Sequence, residues 1–298
     1  MRTPVSADAP GAEERGRDRR PQPASPRTLR TLRARKGWTG FGLSQIWNYR
    51  ELLYFFTWRN IKIRYKQTLI GAGWAVLQPF FMMIAFTFLF GRIAEIPTGG
   101  VPRPIFYYAA LLPWTYFSTT VSTSSESIAA SQALITKVYF PRMMLPMSFA
   151  LSSLFDHLIA FLMLVVLMIY FGVTPTITLA LIPAFVALAA VTAMGAGLWA
   201  SALNAIYRDV RYAVPFLLQF GMFVSPVIYP SSRIPAKWQT LYYLNPMAAV
   251  IDGFRWALTG TGRAPGAPLL LSIAVSLVLL LTGMMFFRRT EGLIADLV

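Results

Sequence analysis

Long segments without a charged side chain constrain this chain more than any other feature. Residues 70–90 contain no Lys, Arg, Asp or Glu, and 21 residues at about 1.5 Å per residue form a helix that crosses a hydrocarbon core of about 30 Å. Similar segments recur, so that 56% of the 298 residues are hydrophobic and only 13% are charged. These segments are too continuous for an outer-membrane β-barrel. The sequence therefore predicts an all-α integral membrane protein.

Six segments are predicted to span the membrane, and Pro- or Gly-rich stretches or charged loops separate most of them. Their ranges are about 70–90, 105–121, 147–171, 177–203, 212–228 and 269–287. Six spans place both termini on one side, where 21 of the Lys and Arg residues fall, against six on the opposite side. Because positively charged segments stay inside, both termini are predicted to be cytoplasmic.

Two stripes at helical spacing occupy residues 49–67, before the first span. The aromatic stripe is Tyr54, Trp58, Ile61 and Tyr65, and the cationic stripe is Arg59, Lys62 and Lys66. This pattern predicts an amphipathic interface helix that feeds directly into the first span, with its cations on lipid phosphates or on a protein partner. An ordinary basic flank of a span has the same periodicity.

The connection between the fifth and sixth spans, residues 229–268, is long and aromatic. It contains two segments too short to span, residues 238–244 and 247–258, and Asn245 and Pro246 between them suit an N-cap followed by Pro at the first helical position. We interpret the two segments as a re-entrant helical hairpin that dips into the outer face of the membrane. A folded external loop is the alternative.

The N-terminal residues 1–45 are predicted to form a disordered basic cytoplasmic tail. The first 40 carry ten Lys or Arg and four Asp or Glu without periodic apolar residues. No apolar h-region is present, so the tail is not a cleaved signal peptide. A solvated mixed-charge tail explains this composition better than a nucleic-acid partner does.

The chain offers little material for catalysis. It has no Cys and one His, which excludes disulfides and cysteine metal sites, and we predict no catalytic or metal-ligating residue. The sequence also lacks the G-x-x-x-x-G-K-[ST] loop that holds ATP phosphates. A D-x-D motif, which a membrane glycosyltransferase would use for a metal and a nucleotide sugar, is absent too.

Four sequence blocks stand out within residues 46–287. They are RNIKIRYKQTLIGAGWAVLQP, LITKVYFPRMMLP, YRDVR followed by VPFLLQFGMFVSPVIYP, and YYLNPMAAVIDGFRWAL. In this order they resemble the ABC-2 type permeases that export O-antigen, capsular or teichoic-acid polysaccharides, so residues 46–298 are interpreted as such a transmembrane domain. The resemblance implies a homodimer in a bacterial inner membrane and lipid-linked polysaccharide as substrate. It also implies two copies of a separate subunit that binds ATP and Mg²⁺.

The resemblance further implies that residues 131–144 form a coupling helix that docks on the ATP-binding subunit. The candidates for this interface are Arg59, Lys62, Lys66, Lys137, Tyr139, Phe140, Arg142, Arg208 and Asp209. Aromatic residues and cations are the types that dominate protein interfaces. A loop on lipid headgroups, or a charge cluster within YRDVR, is the alternative for these residues.

A path for sugars requires aromatic faces and hydrogen-bonding groups. The candidates for the path or its gate are Trp74, Gln78, Pro79, Tyr107, Tyr108, Trp114, Tyr116, Phe117, Asn245, Pro246 and Trp256. Among them, Gln78 and Pro79 are predicted to kink the first span and act as a hinge. A position in the interfacial belt or the core explains each aromatic residue equally well.

Three ionisable residues are predicted to be buried: Glu126, Asp156 and His157. Asp156 and His157 lie within the third span and are interpreted as a mutually satisfied pair or a water-lined wall. A proton relay would instead make this a proton-coupled secondary transporter, but no second acidic site lies in another span. Glu126 is expected to pair with Lys137 or with a cation of the interface helix.

An ABC-2 exporter of drugs or lipids remains the alternative within the family.

Overall fold

The computed structural model describes residues 47–66, 68, 71–174, 176–261 and 266–297, with side chains up to Gly292. The predicted tail of residues 1–45 lies outside this part of the chain. The described residues form helices and connecting turns, without a β-strand. This confirms the all-α prediction.

The α-helices of the described residues are α1 (Arg50–Tyr65), α2 (Gly73–Phe86), α3 (Arg103–Ala130), α4 (Gln132–Ile135), α5 (Met144–Tyr170), α6 (Ile182–Ile206), α7 (Val210–Val224), α8 (Ala236–Tyr242), α9 (Pro246–Thr259) and α10 (Ala267–Leu297). A π-helical segment, Thr87–Ile93, extends α2, and 3₁₀ turns cover Ile177–Leu181 and Ser231–Arg233. Each predicted span and each predicted short helix corresponds to one of these elements.

Four of the described helical segments are long and apolar enough to cross a membrane: Gly73–Ile93, Met144–Tyr170, Ile177–Ile206 and Ala267–Gly292. The predicted spans at 105–121 and 212–228 correspond to α3 and α7. Helix α3 has 28 residues, but Ser and Thr fill its second half, and α7 has only 15 residues. These two helices therefore differ from the other four in polarity or in length.

Helix α3 lies at the centre of the bundle, where it packs against α2, α5, α6, α7 and α9. Every side chain from Ile105 to Trp114 is buried. By contrast, α7 buries only Val214 and α2 buries only Pro79, Met83 and Phe86. The core thus surrounds the first half of α3, while α2 and α7 lie at the periphery with apolar faces exposed.

Helices α6 and α10 approach each other closely because each has a glycine at the contact. A Cβ atom on Gly195 would lie 2.7 Å from the backbone nitrogen of Leu280, and one on Gly283 would lie 2.7 Å from the carbonyl oxygen of Gly195. Beside them, the rings of Trp199 and Phe286 stack with centroids 4.2 Å apart. The small residues near position 195 therefore permit close packing of α6 against α10.

Three predicted helix boundaries are corrected. Helix α1 does not continue into α2: it ends at Tyr65, and the turn before Gly73 contains Gly71 with a φ of +57°. Helix α3 runs to Ala130 and α10 to Leu297, both beyond the predicted span. Within α3, some hydroxyls bond to carbonyls of the preceding turn, as Thr123 does to Thr119 at 2.7 Å, and others bond to neighbouring segments, as Ser124 does to the carbonyl of Pro146 at 3.0 Å.

The bundle has two ends, which we name by their landmarks. The α1 end contains α1, α4 and the turn at residues 207–209. The hairpin end contains the loop at residues 94–102, the turn at residues 171–174, and α8 and α9.

Gly195→Ala is expected to destabilise the bundle, although alanine normally favours a helix over glycine. The added methyl group meets backbone atoms of α10, and such overpacking costs about 1–3 kcal/mol. Thermal unfolding of the purified protein in detergent measures the effect. Gly292→Ala is the matched control, because no heavy atom lies within 4 Å of a Cβ placed there. Equal midpoints for the two variants would contradict the close contact.

Candidate functional site

Helix α1 is attached to α5 by residues spaced four apart. Phe56 is 2% exposed, Asn60 donates from Nδ2 to Ser148 Oγ at 3.0 Å, and Arg64 forms an ion pair with Asp156. Tyr54 and Trp58, of the aromatic stripe, are exposed instead. The packed face of α1 is therefore the Phe56–Asn60–Arg64 face, which the sequence did not single out.

Asp156 and His157 do not satisfy each other, so the first of the two interpretations, a mutually satisfied pair, is wrong. The carboxylate of Asp156 accepts from Arg64 and from the hydroxyl of Tyr65. The Nδ1 atom of His157 lies 3.3 Å from the carbonyl oxygen of Leu112. These neighbouring residues point to different helices because successive side chains on a helix are about 100° apart. Burial lowers the pKa of Arg64, since desolvation disfavours its charge.

A cavity of about 320 Å³ lies at these residues; we call it the α1 cavity. Residues from four helices line it, including Arg64, Trp74, Gln78, Pro79, Tyr116, Ser153, Asp156 and His157. The structure thus brings four candidates for the sugar path, Trp74, Gln78, Pro79 and Tyr116, into one site with the two ionisable residues of α5. Trp74 is 56% exposed, so its ring forms part of the open rim.

Tyr107, Tyr108 and Trp114 lie in the core, which corrects their assignment to the lining of a path. Tyr107 and Tyr108 are completely buried and Trp114 is 6% exposed. The hydroxyl of Tyr108 donates to the carbonyl of Ala160 at 3.1 Å. Rings packed in this way cannot stack on a passing sugar in this conformation.

The N-cap of α9 is confirmed. Asn245 accepts from the backbone N–H of Met247 at 3.1 Å and donates to Ser225 Oγ at 2.8 Å, with Pro246 at the first helical position. Helix α9 is enclosed by other helices rather than lying at the surface. A Cβ atom on Gly253 would lie 2.1 Å from the ring of Phe185, so only glycine allows this approach to α6.

Arg255 is the principal functional candidate that the sequence did not reveal. Its guanidinium donates to three carbonyl oxygens: Phe106 at 3.1 Å, Pro226 at 2.6 Å and Val227 at 2.8 Å. The same group lies 3.6 Å from the ring centroid of Phe106. The sequence did contain one signal for it. Arg255 lies four residues, or about one helical turn, after the buried Ile251, so the two share a face of α9. Arg255 joins α9 to the start of α3 and to the end of α7.

A second cavity, of about 390 Å³, lies at the hairpin end and is called the hairpin cavity. Its polar lining includes Thr98, Ser231, Gln239, Tyr243, Asp252 and Arg255. Tyr243 donates to Asp252 at 3.0 Å. Burial raises the pKa of Asp252 against the opposing effects of Ser231, Arg255 and Tyr243. Burial also lowers the pKa of Arg255 to about 10, which leaves it a cation at neutral pH.

Asn245, Pro246 and Trp256 line neither cavity.

The nine candidates for an ATPase interface divide into two groups at the α1 end. Lys62, Lys66, Lys137, Tyr139, Arg208 and Asp209 are exposed. In contrast, Phe140 is 4% exposed and its ring lies 5.1 Å from that of Phe56. Arg142 bonds to Glu291 through its backbone N–H at 3.1 Å and its guanidinium at 2.9 Å. Arg59 is half-buried over the ring of Phe56.

The prediction that Glu126 is buried and paired is wrong. Its side chain is exposed, and it forms no ion pair within the part of the chain that the structure describes. The neighbouring Ser125 and Ser127 are buried instead, because they face the other helices.

No group of three or more His, Asp or Glu residues among the described residues could hold a metal ion.

Arg255→Met is expected to destabilise the protein by about 3 kcal/mol or more, because three buried carbonyl oxygens lose their donor. Thermal unfolding in detergent tests this. Arg233→Met serves as the control, since Arg233 is exposed at the same end of the bundle. An Arg255→Met variant as stable as the control would contradict the role of Arg255 as a link between helices.

Comparison with known proteins supports a transport function for this arrangement. Residues 51–259 match the family described as ABC-2 type transporter. The chain is 31% identical to the O-antigen export system permease protein RfbA of Myxococcus xanthus, over 83% of this chain and 96% of that protein. It is 27% identical to a protein of the same name from Klebsiella pneumoniae, over 69% and 79% of the two chains. It is also 25% identical to the polysialic acid transport protein KpsM of Escherichia coli, over 78% and 91%. This multi-pass membrane protein belongs to the ABC-2 type transporter family.

Proposed function

We propose that the chain is the transmembrane permease subunit of an ATP-driven exporter of lipid-linked polysaccharide. The observation that carries this proposal is the similarity, along most of the chain, to relatives named as O-antigen export and polysialic acid transport proteins. Such a subunit lies in the inner membrane of a bacterium and moves the glycan outward. The chain itself performs no covalent chemistry.

The energy source in this proposal is a separate ATP-binding subunit, present in two copies, that binds ATP and Mg²⁺. The sequence has no G-x-x-x-x-G-K-[ST] loop of its own. The exposed cations and the exposed Tyr139 at the α1 end supply a surface for docking. Because ATP is cytoplasmic, this assignment places the α1 end, and both termini, on the cytoplasmic side.

Motion of the docked subunit would reach the bundle through the loop that precedes α5. Phe140 packs on Phe56 of α1, and Arg142 holds Glu291 of α10. The loop is therefore joined to both helices by buried or hydrogen-bonded side chains while Tyr139 stays exposed. Tyr139 and Lys137 make the contact in this mechanism, and Phe140 and Arg142 transmit it.

Six spans and a homodimer complete the proposed architecture. Helix α3 is about 42 Å long at 1.5 Å per residue, enough to cross the membrane despite its polar half. Its polar half faces other helices, where Ser124, Ser125 and Ser127 are buried. Helix α7 exposes Phe216, Phe220 and Phe223, a face that lipid or a second copy covers. Helices α8 and α9 form the hairpin at the outer side.

The proposed function is tested by deleting the gene in its native host. We expect polysaccharide to disappear from the cell surface and to accumulate inside, and the wild-type gene to reverse both effects. Sugar staining of intact cells and of lysates measures the two pools. Restoration must fail when the ATP-binding subunit carries an inactivating substitution in its own phosphate-binding loop. Surface polysaccharide that persists after deletion, or restoration without ATP hydrolysis, would refute the proposal.

Docking at the α1 end gives a second prediction. Lys62→Glu together with Tyr139→Ala is expected to reduce co-purification of the ATP-binding subunit about tenfold, because two interface contacts are lost. Both side chains are exposed, so the thermal stability of the permease should not change. Lys237→Glu, an exposed residue at the hairpin end, controls for the change of charge. Undiminished co-purification would place the docking surface elsewhere.

A further inference from the structure

Two buried polar atoms in the α1 cavity have no hydrogen-bond partner among the described residues. They are Nε2 of His157 and Oγ of Ser153, and both side chains line the cavity. His157 is 5% exposed and Ser153 is 2% exposed. Buried polar groups in proteins are nearly always paired, so unpaired atoms on residues that line a cavity indicate a place for a polar ligand.

The hydrogen-bonding character of the cavity identifies the groups that such a ligand must present. The carbonyl of Leu112 can only accept, so Nδ1 of His157 carries the proton and Nε2 of the neutral ring presents a lone pair. Pro79 has no N–H, so the carbonyl of Ala75, on the cavity wall, lacks its helical donor. Ser153 and Gln78 add groups that both donate and accept. The ligand must therefore bring several donors.

The charge of the cavity argues against a phosphate group. Among the described residues of the lining, Arg64 is the one Lys or Arg, and Asp156 already neutralises it. Lone pairs on His157 and on the Ala75 carbonyl would repel an anion rather than bind it. A neutral ligand with O–H donors fits these groups better.

The rim of the cavity adds an apolar surface. The indole of Trp74 is 56% exposed beside Gln78, and a flat aromatic ring can pack against the C–H face of a sugar. At about 320 Å³ the cavity falls within the size range of small-molecule sites. Hydroxyl groups on one side and a C–H face on the other are the features of a pyranose unit.

We propose that the α1 cavity is a subsite for a neutral sugar unit of the exported glycan. This inference rests on the proposed function. Its position is informative, because the Arg64–Asp156 ion pair that ties α1 to α5 forms one wall. A sugar in the subsite therefore contacts the same side chains that hold α1, the helix nearest to the proposed docking surface, in place.

Photo-crosslinking in exporting cells tests the location. A benzoylphenylalanine residue replaces Gln78 in one strain and Phe81 in another. Phe81 lies on the same helix, is 60% exposed and does not line the cavity. After irradiation we expect a ladder that stains for sugar with the probe at position 78 and none with the probe at position 81. No sugar at position 78, or equal capture at both positions, in cells that export normally would overturn the subsite.

Ser153→Ala tests the contact itself. The hydroxyl has no hydrogen-bond partner among the described residues, so its removal should leave the thermal stability unchanged or raise it. The concentration of purified lipid-linked glycan that half-activates the ATPase of the whole complex should rise about three- to tenfold, with the same maximal rate. Thr120→Val is the control: Thr120 is completely buried and lines neither cavity.

The outcomes separate the two proposals. An unchanged half-activating concentration for Ser153→Ala, or the same rise for Thr120→Val, removes the subsite and leaves the exporter intact. Surface polysaccharide that persists in the deletion strain removes the exporter, and the subsite with it. A selective rise for Ser153→Ala together with sugar capture at position 78 supports both.

Discussion

A polar group buried in an apolar helical bundle must find its partner within the protein, and this constraint organises the structure. Arg255 meets it most completely, because its guanidinium is shared among the carbonyls of Phe106, Pro226 and Val227. Pro226 and Val227 follow the end of α7, where carbonyl groups lose their helical donors. The Arg255 guanidinium thus donates to the carbonyl groups that follow the end of α7, and it also fixes α9 against the start of α3.

The same constraint links the α1 end to the rest of the bundle. Burying the charged carboxylate of Asp156 within α5 would cost free energy, but Arg64 and Tyr65 of α1 donate hydrogen bonds to it. The pairing holds α1 against the bundle independently of the apolar contact between Phe56 and Phe140. Arg142 adds a third connection, to Glu291 of α10. These contacts connect the proposed docking surface rigidly to the helices of the membrane domain.

Much of the fold and little of the site could be predicted from the sequence. Apolar length predicted the spans now formed by α2, α5, α6 and α10, and Asn245 with Pro246 predicted the start of α9, because these signals are local. The partners of Asp156 and Arg255 lie 92 and up to 149 residues away in the chain. No local pattern specifies such distant neighbours. Periodicity predicted an aromatic stripe and a cationic stripe on α1, but it did not predict that the face packed against the bundle includes the small polar Asn60, which is buried.

The sequence by itself determined that this chain is a helical membrane protein without a phosphate-binding loop of its own, because composition and motif need no tertiary contact. It also supplied candidate residues for a sugar path and for a partner interface. Only the tertiary structure decided which of them are accessible. It buried Tyr107, Tyr108, Trp114 and Phe140 while leaving Trp74 and Tyr139 exposed. Accessibility depends on which face of each helix meets its neighbours, and in a bundle where lipid-facing and core-facing side chains are equally apolar, only packing settles that choice.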